Sequence, residues 1–215
     1  MTQRNLARIL RLMLVTDNQL LGGRDLVQVC QAAERGGVTA VQLRLKTVSP
    51  GELIAELRRL KSALRVPVLV NDRLDVALAG GADGVHLGPD DVSVPLARKV
   101  SPPGFLIGAS VGSVTEVANG EQADYWGVGP YNSTETKGDA GVALGPPGLK
   151  HLLASAHGKP CVAIGGVRAT DVGSILGCGA VGVAVVSGIL GETDIEGAAR
   201  SYALALQSNS VKSER

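Results

Sequence analysis

Eight short runs rich in Val, Ile and Leu recur along the chain, at residues 12–17, 40–45, 66–71, 84–88, 106–111, 125–130, 160–166 and 182–188. Each is too short for a helix and each ends in a polar or glycine turn, so each reads as a β-strand. Helical patterns lie between them. In the clearest, at 50–64, Leu53, Ile54, Leu57, Leu60 and Leu64 fall at helical spacings while Arg58, Arg59 and Lys61 project elsewhere. Runs such as Val66-Pro67-Val68-Leu69-Val70 and Val183-Ala184-Val185-Val186 are apolar throughout, as in parallel strands covered on both faces. Eight alternating units predict an α/β fold, the (β/α)8 TIM barrel. Such a barrel typically takes ~250 residues and can be built from ~200. The 215 residues here predict a compact example with short loops. The runner-up, a doubly wound open sheet, lacks its Gly-x-Gly-x-x-Gly after the first strand, where Asp17-Asn18-Gln19-Leu20 stands instead. No Pro/Gly/Ser-rich linker divides the chain, so it reads as one barrel domain over 1–215, with polar ends at 1–5 and 208–215 expected to fray.

Composition excludes several functions. The 21 basic and 20 acidic residues leave a formal charge of +1, which gives no footprint for a nucleic acid or an anionic membrane surface. Tyr, Trp and Phe number 3, 1 and 1, too few for the stacking platform of a single-strand binder. Cys30, Cys161 and Cys178 are odd in number and widely spaced, so neither a disulfide framework nor a zinc site is indicated, and a reducing cytoplasm fits best. The apolar stretch at 6–15 is interrupted by Arg8 and Arg11, which argues against a signal peptide, and no run approaches the ~18 apolar residues of a membrane span.

In this barrel the active site lies at the carboxyl ends of the strands, so function is sought there. The second run reads Val41-Gln42-Leu43-Arg44-Leu45-Lys46, and a period of two puts Gln42, Arg44 and Lys46 on one side. If that side faces the interior, two cations point at a ligand; otherwise Lys46 belongs to a solvated strand end. The third run ends in Asn71-Asp72-Arg73, and the turn after the fourth carries Asp90 and Asp91. Carboxylates on neighbouring strand ends suit a Mg2+ completed by water and substrate phosphates, or they cap the helices that follow. After the sixth run comes the longest polar connection, 131–141, in which Thr134, Thr136 and Lys137 suit phosphate oxygens. The seventh and eighth runs end in Gly165-Gly166 and Ser187-Gly188, whose backbone N–H groups lie where barrels commonly bind phosphate. Two anionic groups, and hence a pair of substrates, are implied.

Other chemistries are disfavoured. His151 reads as helical and His157 as part of a connection at the opposite end, leaving His86 near the site as either a hydrogen-bonded structural residue or a ligand contact. A histidine triad or zinc cluster is not expected, and no cysteine is placed as a nucleophile.

Five motifs together carry a family resemblance: Gln42-Leu43-Arg44-Leu45-Lys46; Asn71-Asp72-Arg73-Leu74-Asp75-Val76-Ala77; Gly81-Ala82-Asp83-Gly84-Val85-His86-Leu87-Gly88 leading to Asp91; Gly129-Pro130 leading to Thr134-Glu135-Thr136-Lys137; and Ala163-Ile164-Gly165-Gly166. Their order and spacing resemble thiamine phosphate synthase, from Leu14-Val15-Thr16-Asp17 to Val185-Val186-Ser187, nearly the whole chain. The resemblance implies a cytoplasmic, Mg2+-dependent (β/α)8 transferase of thiamine biosynthesis. Such an enzyme joins hydroxymethylpyrimidine pyrophosphate to hydroxyethylthiazole phosphate and releases pyrophosphate. It also implies that Gln42, Arg44, Lys46, Asn71, Ser110 and Lys137 hold the pyrimidine pyrophosphate, with Arg44 and Lys137 as the catalytic pair. Asp72 and Asp91 would ligate Mg2+, and Thr134, Thr136, Gly166, Val186 and Ser187 would hold the thiazole phosphate. Partners are then small phosphorylated molecules, neither nucleic acid nor membrane, with a homo-oligomer left open.

The chain departs from the family pattern at Leu45, commonly Glu, at Pro89, commonly Gln, at Gly112, often His, and in Tyr131-Asn132-Ser133, usually aromatic and Pro-containing. The missing His also counts against the related thiazole tautomerases. A tautomerase-like enzyme and a non-catalytic thiamine-phosphate binder are the alternatives.

Overall fold

Eight parallel strands close on themselves in sequence order, each pairing with the next and the last with the first. In the computed structural model, residues 3–134 and 141–210 are described. In chain order the elements are α1 (Gln3–Ile9), β1 (Leu12–Val15), α2 (Asn18–Leu21), α3 (Leu26–Arg35), β2 (Ala40–Leu43), α4 (Pro50–Ala63), β3 (Val68–Asn71), α5 (Leu74–Gly80), β4 (Gly84–Leu87) and α6 (Val94–Val100). Then follow β5 (Leu106–Val111), α7 (Val117–Gly120), β6 (Tyr125–Val128), α8 (Gly145–Ala154), β7 (Cys161–Ala163), α9 (Val172–Gly177), β8 (Gly182–Val185), α10 (Ser187–Leu190) and α11 (Ile195–Ser210). This is the (β/α)8 barrel that the alternation predicts.

The helices start where local chemistry dictates. Ser49 and Glu52 form a reciprocal capping box around Pro50, which opens α4, and the helix ends where Leu64 turns extended ahead of Pro67. Its Leu53, Leu57 and Leu60 are buried against the sheet, and each fully buried leucine contributes roughly 1.5–3 kcal/mol. Asp25 caps α3 one way, its Oδ1 accepting from the Gln28 N–H.

Two apolar clusters divide at the sheet. One lies between strands and helices; the other fills the barrel with Met13, Val15, Ala40, Leu69, Leu106, Tyr125, Val162 and Ala184, joined by Leu6 and Leu10 at the end of the chain's first helix. α1 thus plugs the end opposite the mouth, and the interior is a packed core rather than a pore.

Several sequence expectations shift: β3 begins at Val68, and β6, β7 and β8 end at Val128, Ala163 and Val185, inside the apolar runs that predict them. Regular pairing in β1 and β2 stops at Val15 and Leu43, short of 17 and 45, because the Arg44 N–H turns from a backbone partner to the Thr16 hydroxyl at 2.8 Å. The polar segment from 208 does not begin as a frayed end: α11 continues through Ser210, and 211–215 lie outside the described residues.

Candidate active site at the carboxyl mouth of the barrel

The end of β2 is where buried charge enters the mouth. Gln42 and Arg44 are buried, at 3% and 9% exposure, whereas Lys46 stands exposed at the rim with its N–H donating to Asn18 Oδ1 at 3.1 Å. The two cations expected on one face therefore differ in kind. Arg44 is an enclosed ion-pair partner: its Nη1 donates to Asp17 Oδ2 at 2.7 Å, with both side chains only 10% exposed. Thr16, fully buried, accepts from the Arg44 N–H at 2.8 Å and donates to the Arg44 carbonyl at 3.2 Å. The Thr16-Asp17 pair following β1 thus clamps Arg44 by backbone and by side chain, while Asp17 Oδ1 caps α2.

The acids after β3 and β4 are not helix caps. Arg73 occupies the capping position of α5 and Ser93 that of α6, which removes that alternative for Asp72 and Asp91. Asp72 holds a left-handed φ of 63°, a conformation Asp tolerates better than most residues, and its N–H donates to the His86 carbonyl at 2.8 Å. Asp91 Oδ2 accepts from the Gly88 N–H at 2.6 Å, which fixes the carboxylate against the end of β4. Among the described residues no three His, Cys, Asp or Glu side chains form a metal cluster. Two hard oxygen donors on neighbouring strand ends nevertheless fit a cation that takes its other ligands from water and phosphate. Arg73 is not part of this group: it pairs with Asp75 at 2.6 Å on the exposed side.

Across the interior runs a buried polar chain. Tyr125 starts β6 and is completely buried, and its hydroxyl lies 3.0 Å from His86 Nδ1; His86 Nε2 lies 3.1 Å from Ser110 Oγ. Gln42, also buried, lies 3.6 Å through its Nε2 from Met13 Sδ inside the barrel, and burial pushes the Tyr125 phenol above its ordinary range. Glycines make the room. A Cβ on Gly108 would lie 2.5 Å from His86 Nδ1 and collide with the Tyr125 ring, and one on Gly127 would meet the imidazole at 2.9 Å. Of the two readings of His86, the hydrogen-bonded structural one is what this geometry displays.

The opposite arc is built from backbone. Gly165 and Gly166 have φ of 91° and 60°, and the loop leaving β6 lies directly on them. The Asn132 N–H donates to the Gly165 carbonyl at 2.9 Å, and Asn132 Nδ2 reaches both the Gly166 carbonyl and Asp171 Oδ2 at 2.9 Å. Half-buried Thr134 follows two residues later. Val186 stands at the position before α10, whose first residue is the exposed Ser187. Thr136 and Lys137 lie outside the described residues.

The remaining reactive side chains sit away from the mouth. Cys30, Cys161 and Cys178 are unpaired thiols, and burial pushes Cys30 and Cys161 up to about 12, which suits no nucleophile. His151 lies in α8 and His157 in the turn after it. Sequence reasoning missed Thr16, Asp17, Tyr125 and Asn132 as site residues. Asp17 was findable, because it ends a strand as Asp72 does; Tyr125 was not, because it begins one.

A family profile described as thiamine monophosphate synthase matches residues 12–189. The chain is 44% identical over 195 residues to a thiamine-phosphate synthase of Methanoculleus marisnigri, covering 88% of this chain and 92% of that one. It is 43% identical over 205 residues to one of Azorhizobium caulinodans, covering 93% and 96%. Among solved structures, a thiamine phosphate pyrophosphorylase from Pyrococcus furiosus superposes with a TM-score of 0.85 at 33% identity, over 95% of this chain and 99% of that one. A 3-hexulose-6-phosphate synthase at 16% identity and TM-score 0.64 shares the fold alone.

Proposed function

The chain belongs to the thiamine monophosphate synthase family and is a transferase, and from that membership we propose that its mouth joins hydroxymethylpyrimidine pyrophosphate to hydroxyethylthiazole phosphate, forming thiamine phosphate and pyrophosphate. The observation that carries this reading is that two unlike arcs meet at one mouth, side chains at the ends of β2 to β5 and backbone at the ends of β6 to β8. To the first we assign the pyrophosphate, held by Gln42, Arg44, Asn71 and Ser110 with Asp72 and Asp91 beside them; to the second the monophosphate, held by Gly166, Thr134, Val186 and Ser187. Pyrophosphate and monophosphate differ in charge, and the sites differ accordingly.

In the reaction we propose, the bond between the pyrimidine methylene and the pyrophosphate oxygen breaks with its electron pair passing to that oxygen. The electron-rich ring carries the resulting cation, and the thiazole nitrogen lone pair closes the new C–N bond. The protein supplies no nucleophile; it stabilises the charge growing on the leaving group and holds the partners in line. Arg44, oriented by Asp17, and Lys137 do the first, with Lys46 at the rim and Gln42, Asn71 and Ser110 fixing the pyrimidine end. Thr134, Thr136, Gly166, Val186 and Ser187 hold the thiazole phosphate. A divalent cation, which we take to be Mg2+, would bind Asp72 and Asp91 and neutralise charge on the departing pyrophosphate. The substrates are small phosphorylated molecules, the compartment we assign is the reducing cytoplasm, and the working unit is one barrel domain over 1–215. No helix among the described residues is long and apolar enough to cross a membrane.

The test is to mix the purified protein with both phosphorylated precursors and follow thiamine phosphate with Mg2+ and with EDTA. Metal-dependent product is expected; intact precursors under both conditions, with a folded protein, would overturn the reading.

A further inference from the structure

Two four-residue helices form part of the mouth rim on either side of the seam where β1 pairs with β8: α2 after β1 and α10 after β8. A helix this short leaves its last carbonyls without intrahelical partners, so its place depends on ties from outside. The Arg24 side chain supplies such ties to both. Its Nε donates to the Leu21 carbonyl at 2.9 Å and its Nη2 to the Leu20 carbonyl at 2.6 Å, at the end of α2. Across the seam, Nη2 also donates to the Leu190 carbonyl, the last of α10, and Nη1 to the Glu192 carbonyl at 3.0 Å just beyond it. A guanidinium only donates and a backbone carbonyl only accepts, so the sense of all four bonds is fixed. The base of the side chain is held as well, because the next residue, Asp25, caps α3 and pairs with Arg59 at 2.7 Å.

We propose that Arg24 is a positioning residue that ties α10 to α2 across this seam and so fixes Ser187 in the thiazole phosphate subsite. The inference rests on the proposed function for the identity of that ligand. The two helices depend on the tie unequally. α2 is held at its start by Asp17, whose carboxylate caps it and pairs with Arg44, and by Asn18, whose Nδ2 donates to Thr47 Oγ1 at 2.9 Å. Among the described residues no side chain caps the start of α10, which is seated by buried Ile189 and Leu190 and by Tyr202, whose hydroxyl a Cβ on Gly188 would strike. Apolar contacts are non-directional, so they press α10 to the barrel without setting where along the rim Ser187 stands. Four hydrogen bonds in one plane do set it. The far end of α10 carries Ser187 with it, since the Gly191 N–H donates to the Ser187 carbonyl at 2.8 Å. Loss of the tie therefore acts on the second arc and spares the first, although Arg24 bonds to helices of both. An ammonium bears equal charge, but its three donors radiate from one point, so Lys does not span two helix ends as the planar fork does.

Arg24→Ala tests this with two readouts. Amide hydrogen exchange over 187–192 should run about 10-fold faster or more, with a smaller change over 18–22, because Asp17 still holds α2. In steady-state kinetics KM for the thiazole phosphate should rise about 10-fold, the value of one hydrogen bond to a charged group. Saturating ligand draws α10 back, so kcat should fall less than about 3-fold, and calorimetric affinity for hydroxymethylpyrimidine pyrophosphate with Mg2+ should stay within about 2-fold. General loosening of the fold would not give that split. Arg24→Lys should match Arg24→Ala within about 2-fold, and it carries the test alone should the alanine variant fail to fold. Arg35→Ala, which removes an exposed pair with Glu196 between α3 and α11, is the control and should shift neither substrate by more than about 2-fold. Unaltered exchange over 187–192, equal losses on both substrates, or wild-type behaviour in Arg24→Lys overturns the proposal. So does faster exchange with an unchanged KM for the thiazole phosphate. If the wild-type protein makes no thiamine phosphate, the proposed function and Ser187's assigned role fall together, while the exchange over 187–192 still decides whether Arg24 holds α10.

Discussion

The two arcs of the barrel mouth are made of different material. From β1 to β5 the mouth is lined by side chains that hold one another: Asp17 with Arg44, Thr16 with the Arg44 backbone, and Ser110 with His86. From β6 to β8 it is lined by backbone: two left-handed glycines, a loop laid across them by Asn132, and the start of α10. The difference matches what each arc is proposed to hold. Charge developing on a pyrophosphate during bond breaking calls for oriented, enclosed charges, whereas a phosphate that remains unchanged through the reaction needs only a fixed cradle. Substitutions in the first arc should therefore act on turnover or pyrophosphate affinity, and those in the second on thiazole phosphate affinity.

Lys137→Ala should give the largest effect and tests whether the connection between the arcs serves the first. As a cation proposed to meet the leaving group only as its charge grows, it should lower kcat by about 100-fold or more while shifting the KM for thiazole phosphate less than about 3-fold. Steady-state kinetics in both substrates decides it, and an unchanged kcat would remove Lys137 from the catalytic pair.

Gly166→Ala attacks the second arc. At φ 60° a Cβ would stand 2.7 Å from the Ser133 carbonyl oxygen and 2.9 Å from Asn132 Cβ, so the loop carrying Thr134 must lift. The KM for thiazole phosphate should rise about 10-fold or more, with pyrimidine pyrophosphate affinity nearly untouched. Equal losses on both substrates would mean that the arcs are mechanically one unit, and the comparison would break.

How much of this was legible beforehand follows the same division. The strands and their order were readable because parallel strands buried on both faces are apolar throughout, and the Gly165-Gly166 turn was visible as composition alone. The acids were harder. Asp83 and Asp124 look in the sequence as strand-adjacent as Asp72, yet they bind the N–H groups of Val68 and Ile107 at the opposite end, with Lys61 and Arg98 as partners. Only the position of the acid relative to its strand separates the two sets: it precedes the strand in the structural pair and follows it in the mouth. Tyr125 defeats even that rule. It enters at the start of β6, and a long side chain reaching into the interior to His86 leaves no periodic trace.

Asp17→Asn is the smallest expected effect and the sharpest test of the first arc, because it separates two roles of one side chain. Asn is as good a helix cap as Asp, so α2 keeps its start through Oδ1, whereas Arg44 loses the carboxylate that sits 2.7 Å from Nη1. Arg44 would remain enclosed with its charge met only by an amide oxygen, which destabilises the fold by about 1–3 kcal/mol. If the ion pair aims the guanidinium at pyrophosphate, KM for that substrate should rise about 3–10-fold with thiazole phosphate unaffected. A lower pyrophosphate KM, measured alongside thermal unfolding, would show instead that Asp17 competes with the substrate for Arg44, and the pair would be a restraint on binding rather than a support for it.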